Sequence, residues 1–133
     1  MNEVIERAFN GFRVPVNFMY YDGKETTYII YQLAWTESRL SCDDELRWYV
    51  DYYDVDIYSK SDYAELVIDV RKIMKKEGFT WLPGKSSGDM YEPDTGFFHK
   101  TLCFTCLRDA QENMEEEEQQ ENEGQENNEN PNE

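Results

Sequence analysis

The stretch from Leu46 to Lys60 reads LRWYVDYYDVDIYSK. Trp48, Val50 and Tyr52 fall on one alternating face, and Tyr49, Tyr53, Val55 and Ile57 on the other. Aromatic and β-branched side chains at a period of two fit a pleated, half-buried surface, so the stretch predicts a strand. Asp51, Asp54 and Asp56 interrupt the apolar run. They predict that one end of the strand leaves the covered part of the sheet and presents charge beside tyrosine.

Working back toward the N-terminus, Thr26 to Trp35 also alternates, with Ile29, Tyr31, Leu33 and Trp35 as the expected core face and Tyr28, Ile30, Gln32 and Ala34 on the other. Asp22-Gly23 separates it from Phe18 to Tyr21, and a turn dipeptide between two apolar runs predicts a hairpin. Thr36 to Glu45 is polar and reads as the loop into the opening strand. Ten residues without helical periodicity are short for a parallel crossover, so antiparallel pairing is expected. Nearer the start, Val4 to Phe9 predicts one or two helical turns ended by Gly11, and Pro15 makes Arg13 to Met19 extended.

Toward the C-terminus, Asp62 with Glu65 three residues on has the spacing of a reciprocal N-terminal cap. Leu66, Val67, Val70, Ile73 and Met74 form one apolar stripe, Lys72, Lys75 and Lys76 suit the negative end of the helix dipole, and Gly78 supplies a stop. A short strand is expected over Phe79 to Leu82, a loop over Lys85 to Gly96 with a mobile tip, and a last strand over Phe98 to Cys106. The fold class predicted is α+β over residues 1–108: a small antiparallel sheet packed against one long helix of about residues 62–77. Residues 109–133 hold almost nothing apolar to offset the entropy of ordering and read as a disordered acidic tail.

The net charge of -16 divides unevenly, since residues 1–108 carry 18 acidic and 13 basic side chains while residues 109–133 carry 11 acids and no base. No apolar run approaches the roughly 18 residues of a membrane span, and the start lacks the order of a signal peptide. Three cysteines, Cys42, Cys103 and Cys106, do not make a disulfide framework and fit a reducing compartment, so a cytoplasmic location is expected.

Cys103, Cys106 and His99 invite a zinc reading, but residues three apart on a strand point to opposite faces and a fourth ligand is lacking. His99 suits a general base in type, without any recognisable nucleophile motif beside it. Asp54 and Asp56 share a strand face and, with His99, frame one alternative, a metal-dependent enzyme. With no phosphate-binding loop, no cofactor is expected and an enzyme is not. The lysines gather at one helix end rather than in a nucleic-acid patch. The excess of acid frames a second alternative, a DNA-mimicking inhibitor of a host enzyme. Ten tyrosines suit either a protein interface or a small core.

Three strings in order, VPVNFMYYDGKETTYIIYQ (Val14 to Gln32), YVDYYDVDIYSKSDY (Tyr49 to Tyr63) and DMYEPDTGFFHKTLCF (Asp89 to Phe104), resemble the tail completion or tail terminator family of head-to-tail joining proteins, from tailed phages and prophages of Gram-positive bacteria. The likeness covers roughly residues 13–108. It implies a compact α+β subunit without catalytic residues, which forms a ring, usually of six copies. Such a ring caps the tail tube protein and meets the head-tail connector, and DNA passes through its lumen without specific binding. It also implies a place at the head-tail junction of the virion, reached from the host cytoplasm, with no membrane partner. The positions it marks for ring and tube contacts are Tyr20, Tyr21, Asp22, Lys24, Tyr52, Tyr53, Asp54, Lys60, Asp94 and His99. The acidic tail after Arg108 departs from the family pattern.

Overall fold

The structure, a computed structural model, describes residues 2–40 and 47–109. In chain order these form α1 (Asn2–Ala8), β1 (Val16–Phe18), β2 (Thr27–Leu40), β3 (Arg47–Ser59), α2 (Ala64–Lys76), β4 (Thr80–Trp81), a 3-10 turn (Pro83–Lys85), β5 (Met90–Glu92) and β6 (Phe97–Asp109). The strands make one six-stranded sheet in the order β1-β2-β3-β6-β4, with β5 also pairing β6. By packing, the chain divides into two units. The first, Met1–Thr36 with Asp51–Cys106, holds both helices; the second, Glu37–Val50 with Leu107–Glu133, holds the remaining residues of β2, β3 and β6. In the second, the Arg108 guanidinium lies 5.3 Å from the centre of the Tyr49 ring.

This corrects the expected fold class. The sheet is mixed rather than antiparallel, and in place of one long helix there are two short ones. The helices have seven and 13 residues, whereas β2, β3 and β6 have 14, 13 and 13, so strand and not helix dominates the described residues. The limits of α2 follow from local chemistry. Asp62 Oδ1 accepts the Ala64 N–H at 3.0 Å. At the other end Gly78, at φ +93°, lets the Phe79 N–H return to the Met74 carbonyl at 3.0 Å, which closes the last turn. Leu66, Val70 and Met74 are buried, with Val67 and Ile73 packed against them, as the stripe predicts.

The predicted hairpin at Asp22-Gly23 is absent, for β1 pairs β2 in parallel, with Val16 opposite Ile29 and Phe18 opposite Tyr31. Because β1 is only three residues long, residues 19–26 need retrace only about 13 Å to start β2 beside it. Met19 begins the return at φ +72°, a conformation that costs a non-glycine residue about 1 kcal/mol or more. Gly23 is favoured for a different reason: a Cβ there would run into the Tyr21 ring and make it move, although its hydroxyl is held by the Glu25 N–H at 3.0 Å.

Two further expectations change. Residues 36–40 continue β2 instead of opening a loop, while the rest of that predicted loop and the predicted disordered tail lie outside the described residues, apart from Asp109 at the end of β6. The expected loop after Lys85 contains β5, antiparallel to β6 with Tyr91 opposite Phe98. Contacts also fix the direction of β3. Thr27 meets Ser59 at 2.9 Å and Thr36 meets Asp51 at 2.7 Å, so β3 runs against β2. Between these contacts β2 advances nine residues and β3 gives back eight, so β2 carries one additional residue, a bulge that turns its later side chains over. Ile29 and Tyr31 accordingly reach the core, while Leu33 and Trp35, expected beside them, are 45% and 37% exposed.

The core lies on the helix-covered face. Ile5 and Phe9 of the N-terminal segment and the stripe of α2 meet Tyr53, Val55 and Ile57 of β3 and Leu102, Phe104 and Cys106 of β6. No helix is long and apolar enough to cross a membrane among the described residues.

Candidate functional site

On the other face of the first unit the strands carry polar and aromatic groups. Tyr21 stacks on Tyr28 at 4.6 Å, Tyr28 on Tyr58 at 5.0 Å and Tyr58 on His99 at 4.1 Å, a line of rings from the β1–β2 connection across β2 and β3 to β6. Phe97 packs edge-on to Tyr28 at 5.7 Å, with Lys60 Nζ 5.0 Å from its centre. The line ends on Asp56, whose Oδ1 accepts from the Thr101 hydroxyl and from His99 Nε2 at 3.1 Å. Burial, and after it the charge of Asp56, pushes the Tyr58 phenol up to about 12, so it stays neutral.

One step along the same face, burial and then the Asp56 charge raise Asp54, whose carboxylate takes the Cys103 thiol as a hydrogen-bond donor. Burial, and after it Asp54, pushes that thiol up to about 11. A thiol so protonated at neutral pH is a poor nucleophile. Further on, Trp35 stacks on Tyr52 at 4.2 Å, and Lys85 Nζ caps the pair at 4.6 and 4.8 Å. Among the described residues, no three His, Cys, Asp or Glu side chains come together to hold a metal ion, including Asp54, Asp56 and His99. Cys103 and Cys106 fall on opposite faces, as the strand argument predicts: Cys103 faces Asp54, and Cys106 sits in the helix-covered core.

The two outer edges of the sheet differ from this satisfied interior. At β1, Phe18, Met19 and Tyr20 are 48%, 55% and 68% exposed, and a groove of about 350 Å³ there is bordered by Glu6 and Asp22. At the opposite edge, β4 lies beside α2, and a groove of about 310 Å³ is formed by Ile68, Arg71, Lys72, Lys75 and Trp81. The Arg71 guanidinium carbon lies over Trp81, 3.6 Å from the ring centre. A third cleft, of about 600 Å³, opens between the start of α2 and β6, with Tyr63, Val67 and Phe98 in its wall and Lys100 Nζ 3.6 Å from Asp89 at its mouth.

The ten positions marked from sequence therefore scatter. Tyr21, Lys60 and His99 belong to the line of rings or its flank, and Asp54 lies one step along the same face. Tyr20, Asp22, Lys24 and Asp94 are exposed in connections. Tyr52 and Tyr53 are buried within the single chain, Tyr53 on the helix-covered face with its hydroxyl donating to Asn2 Oδ1 at 3.1 Å. The expectation that the aspartates of β3 mark a charged strand end is corrected as well. Asp51 and Asp56 are only 2% and 9% exposed, because β3 is an inner strand and each carboxylate is met by a threonine hydroxyl.

Sequence reasoning missed the exposed Phe18 and Met19 and the basic groove of α2. Four consecutive apolar residues, Phe18 to Tyr21, break the alternation that a buried strand would keep, which is the signal that marks them. In α2 the signal is Ile68, Arg71, Lys72 and Lys75 at helical spacing on the side away from the apolar stripe. Compared with protein-family models and with curated proteins, the chain finds a match in neither.

Proposed function

We propose that this chain is a non-enzymatic assembly subunit of the tail terminator or tail completion kind, acting by self-association into a ring. That ring caps a tail tube and offers its other side to a head connector. The resemblance of the three ordered strings supplies the identity of the assembly. The observation that carries the mode of action is the pair of exposed apolar edges, Phe18, Met19 and Tyr20 at the β1 side of the sheet and Met90 and Tyr91 of β5 at the other. The half-exposed Phe98 of β6 lies against Tyr91. Apolar residues gathered at sheet edges mark association surfaces. Two different surfaces on opposite edges favour head-to-tail contact, the kind that closes into rings. Residues 1–108 are mildly acidic, which suits a lumen that lets DNA pass, because each cation engaging a phosphate adds affinity and slows transit.

Electron microscopy of the purified protein, alone and with a tail-tube protein, tests this. Closed rings of one copy number are expected. Strictly monomeric particles in both samples would refute the reading.

A further inference from the structure

We infer that copies of this chain join edge to edge, the acidic β1 edge of one facing the basic α2–β4 edge of the next. The inference rests on the ring reading and names the surfaces that would make its joint. The first groove presents Glu6 and Asp22 and has no basic residue in its lining, with the exposed rings of Phe18 and Tyr20 beside them. The second presents Arg71, Lys72 and Lys75 and has no acid in its lining, beside Trp81 and the 50% exposed Ile68. Among the described residues Lys72 and Lys75 make no ion pair, and neither do Glu6 and Asp22. Each edge thus combines uncompensated charge of one sign with exposed apolar surface.

A single chain cannot satisfy itself. β1 and β4 are the first and last strands of the order β1-β2-β3-β6-β4, four strand spacings or about 19 Å apart. A second copy carries the matching charge on its opposite edge, and since each copy then has one edge left over, association propagates head to tail until it closes. Complementary charge steers such an encounter and sets its register, and the exposed aromatic residues supply the apolar contact. The association weakens as salt is added.

Charge reversal tests the joint. Glu6→Lys with Asp22→Lys gives a chain basic at both edges, and Lys72→Glu with Lys75→Glu gives one acidic at both. All four side chains are exposed, and thermal melting serves as the control for folding. By sedimentation at low salt, each double variant alone should associate at least tenfold more weakly than the unaltered chain. An equimolar mixture should regain association with even copy numbers only, and a chain carrying all four reversals should regain it alone. Folded double variants that associate like the unaltered chain would overturn this joint and leave the ring reading standing. So would a mixture and a fourfold variant that both stay dissociated. An unaltered chain that is monomeric at every concentration, both alone and with a tail-tube protein, would overturn both.

Discussion

Asp56 shows how a carboxylate comes to lie in the middle of a sheet. It is 9% exposed, and its Oδ1 takes the Thr101 hydroxyl and His99 Nε2 at once. Among the described residues, no buried side-chain nitrogen or oxygen lacks a partner, so the polar face is satisfied throughout. Removing the acceptor reverses that for two donors together. Asp56→Ala should cost about 2 kcal/mol in urea unfolding, the desolvation penalty of groups left without a partner, while Asp56→Asn, which retains an Oδ1, should cost under about 1 kcal/mol. Equal losses for the two variants would mean that packing, not hydrogen bonding, holds Asp56 in place. The spacing of Asp54 and Asp56 on one face was legible in the sequence. Their burial was not, because it depends on Thr101 and His99, more than forty residues away.

At the scale of elements, α2 was the most legible part, since stripe and stop act within a few residues of one another. Its cap position falls on Tyr63 without a side-chain cap, and the expected arrangement of Asp62 and Glu65 reduces to Asp62 Oδ1 accepting the Ala64 N–H. The β1–β2 connection was the least legible. Asp22-Gly23 does mark a turn, but the turn folds back over Tyr21 and returns the chain to a parallel start. Gly23→Ala would drive a Cβ into the Tyr21 ring and displace it from Tyr28, an aromatic contact worth about 1 kcal/mol. A loss of that size in chemical unfolding, with a change in the near-ultraviolet dichroism of tyrosine, is expected. Gly84→Ala, whose Cβ would meet open space, should stay within about 0.5 kcal/mol of the unaltered chain. If both behave alike, Tyr21 does not shape this connection.

At the scale of the whole molecule, the polar face sets an upper pH limit on stability. Cys103 is raised from about 9 to about 11 and Tyr58 from about 10 to about 12, burial being the first cause of each. Both groups keep their protons longer in the folded chain than in the unfolded one. Their contribution is therefore whole below pH about 9 and is lost as pH rises through the folded values toward 12. Melting temperature should stay level through neutral pH and fall between pH about 9 and 12, with Cys103→Ser moving the onset toward 10. An unchanged onset in that variant would exclude Cys103 as its source. What the sequence determined by itself is what short-range chemistry can decide: strands wherever β-branched and aromatic residues alternate, the limits of α2, and the opposite faces of Cys103 and Cys106. Only the tertiary structure decided that β1 lies parallel to β2, that the bulge turns Trp35 away from the core, and that β3 runs inside the sheet with its aspartates covered. The reason is that strand order and register are chosen by contacts between residues distant in the chain. A periodic pattern specifies which face a side chain takes, but not which strand will lie beside it.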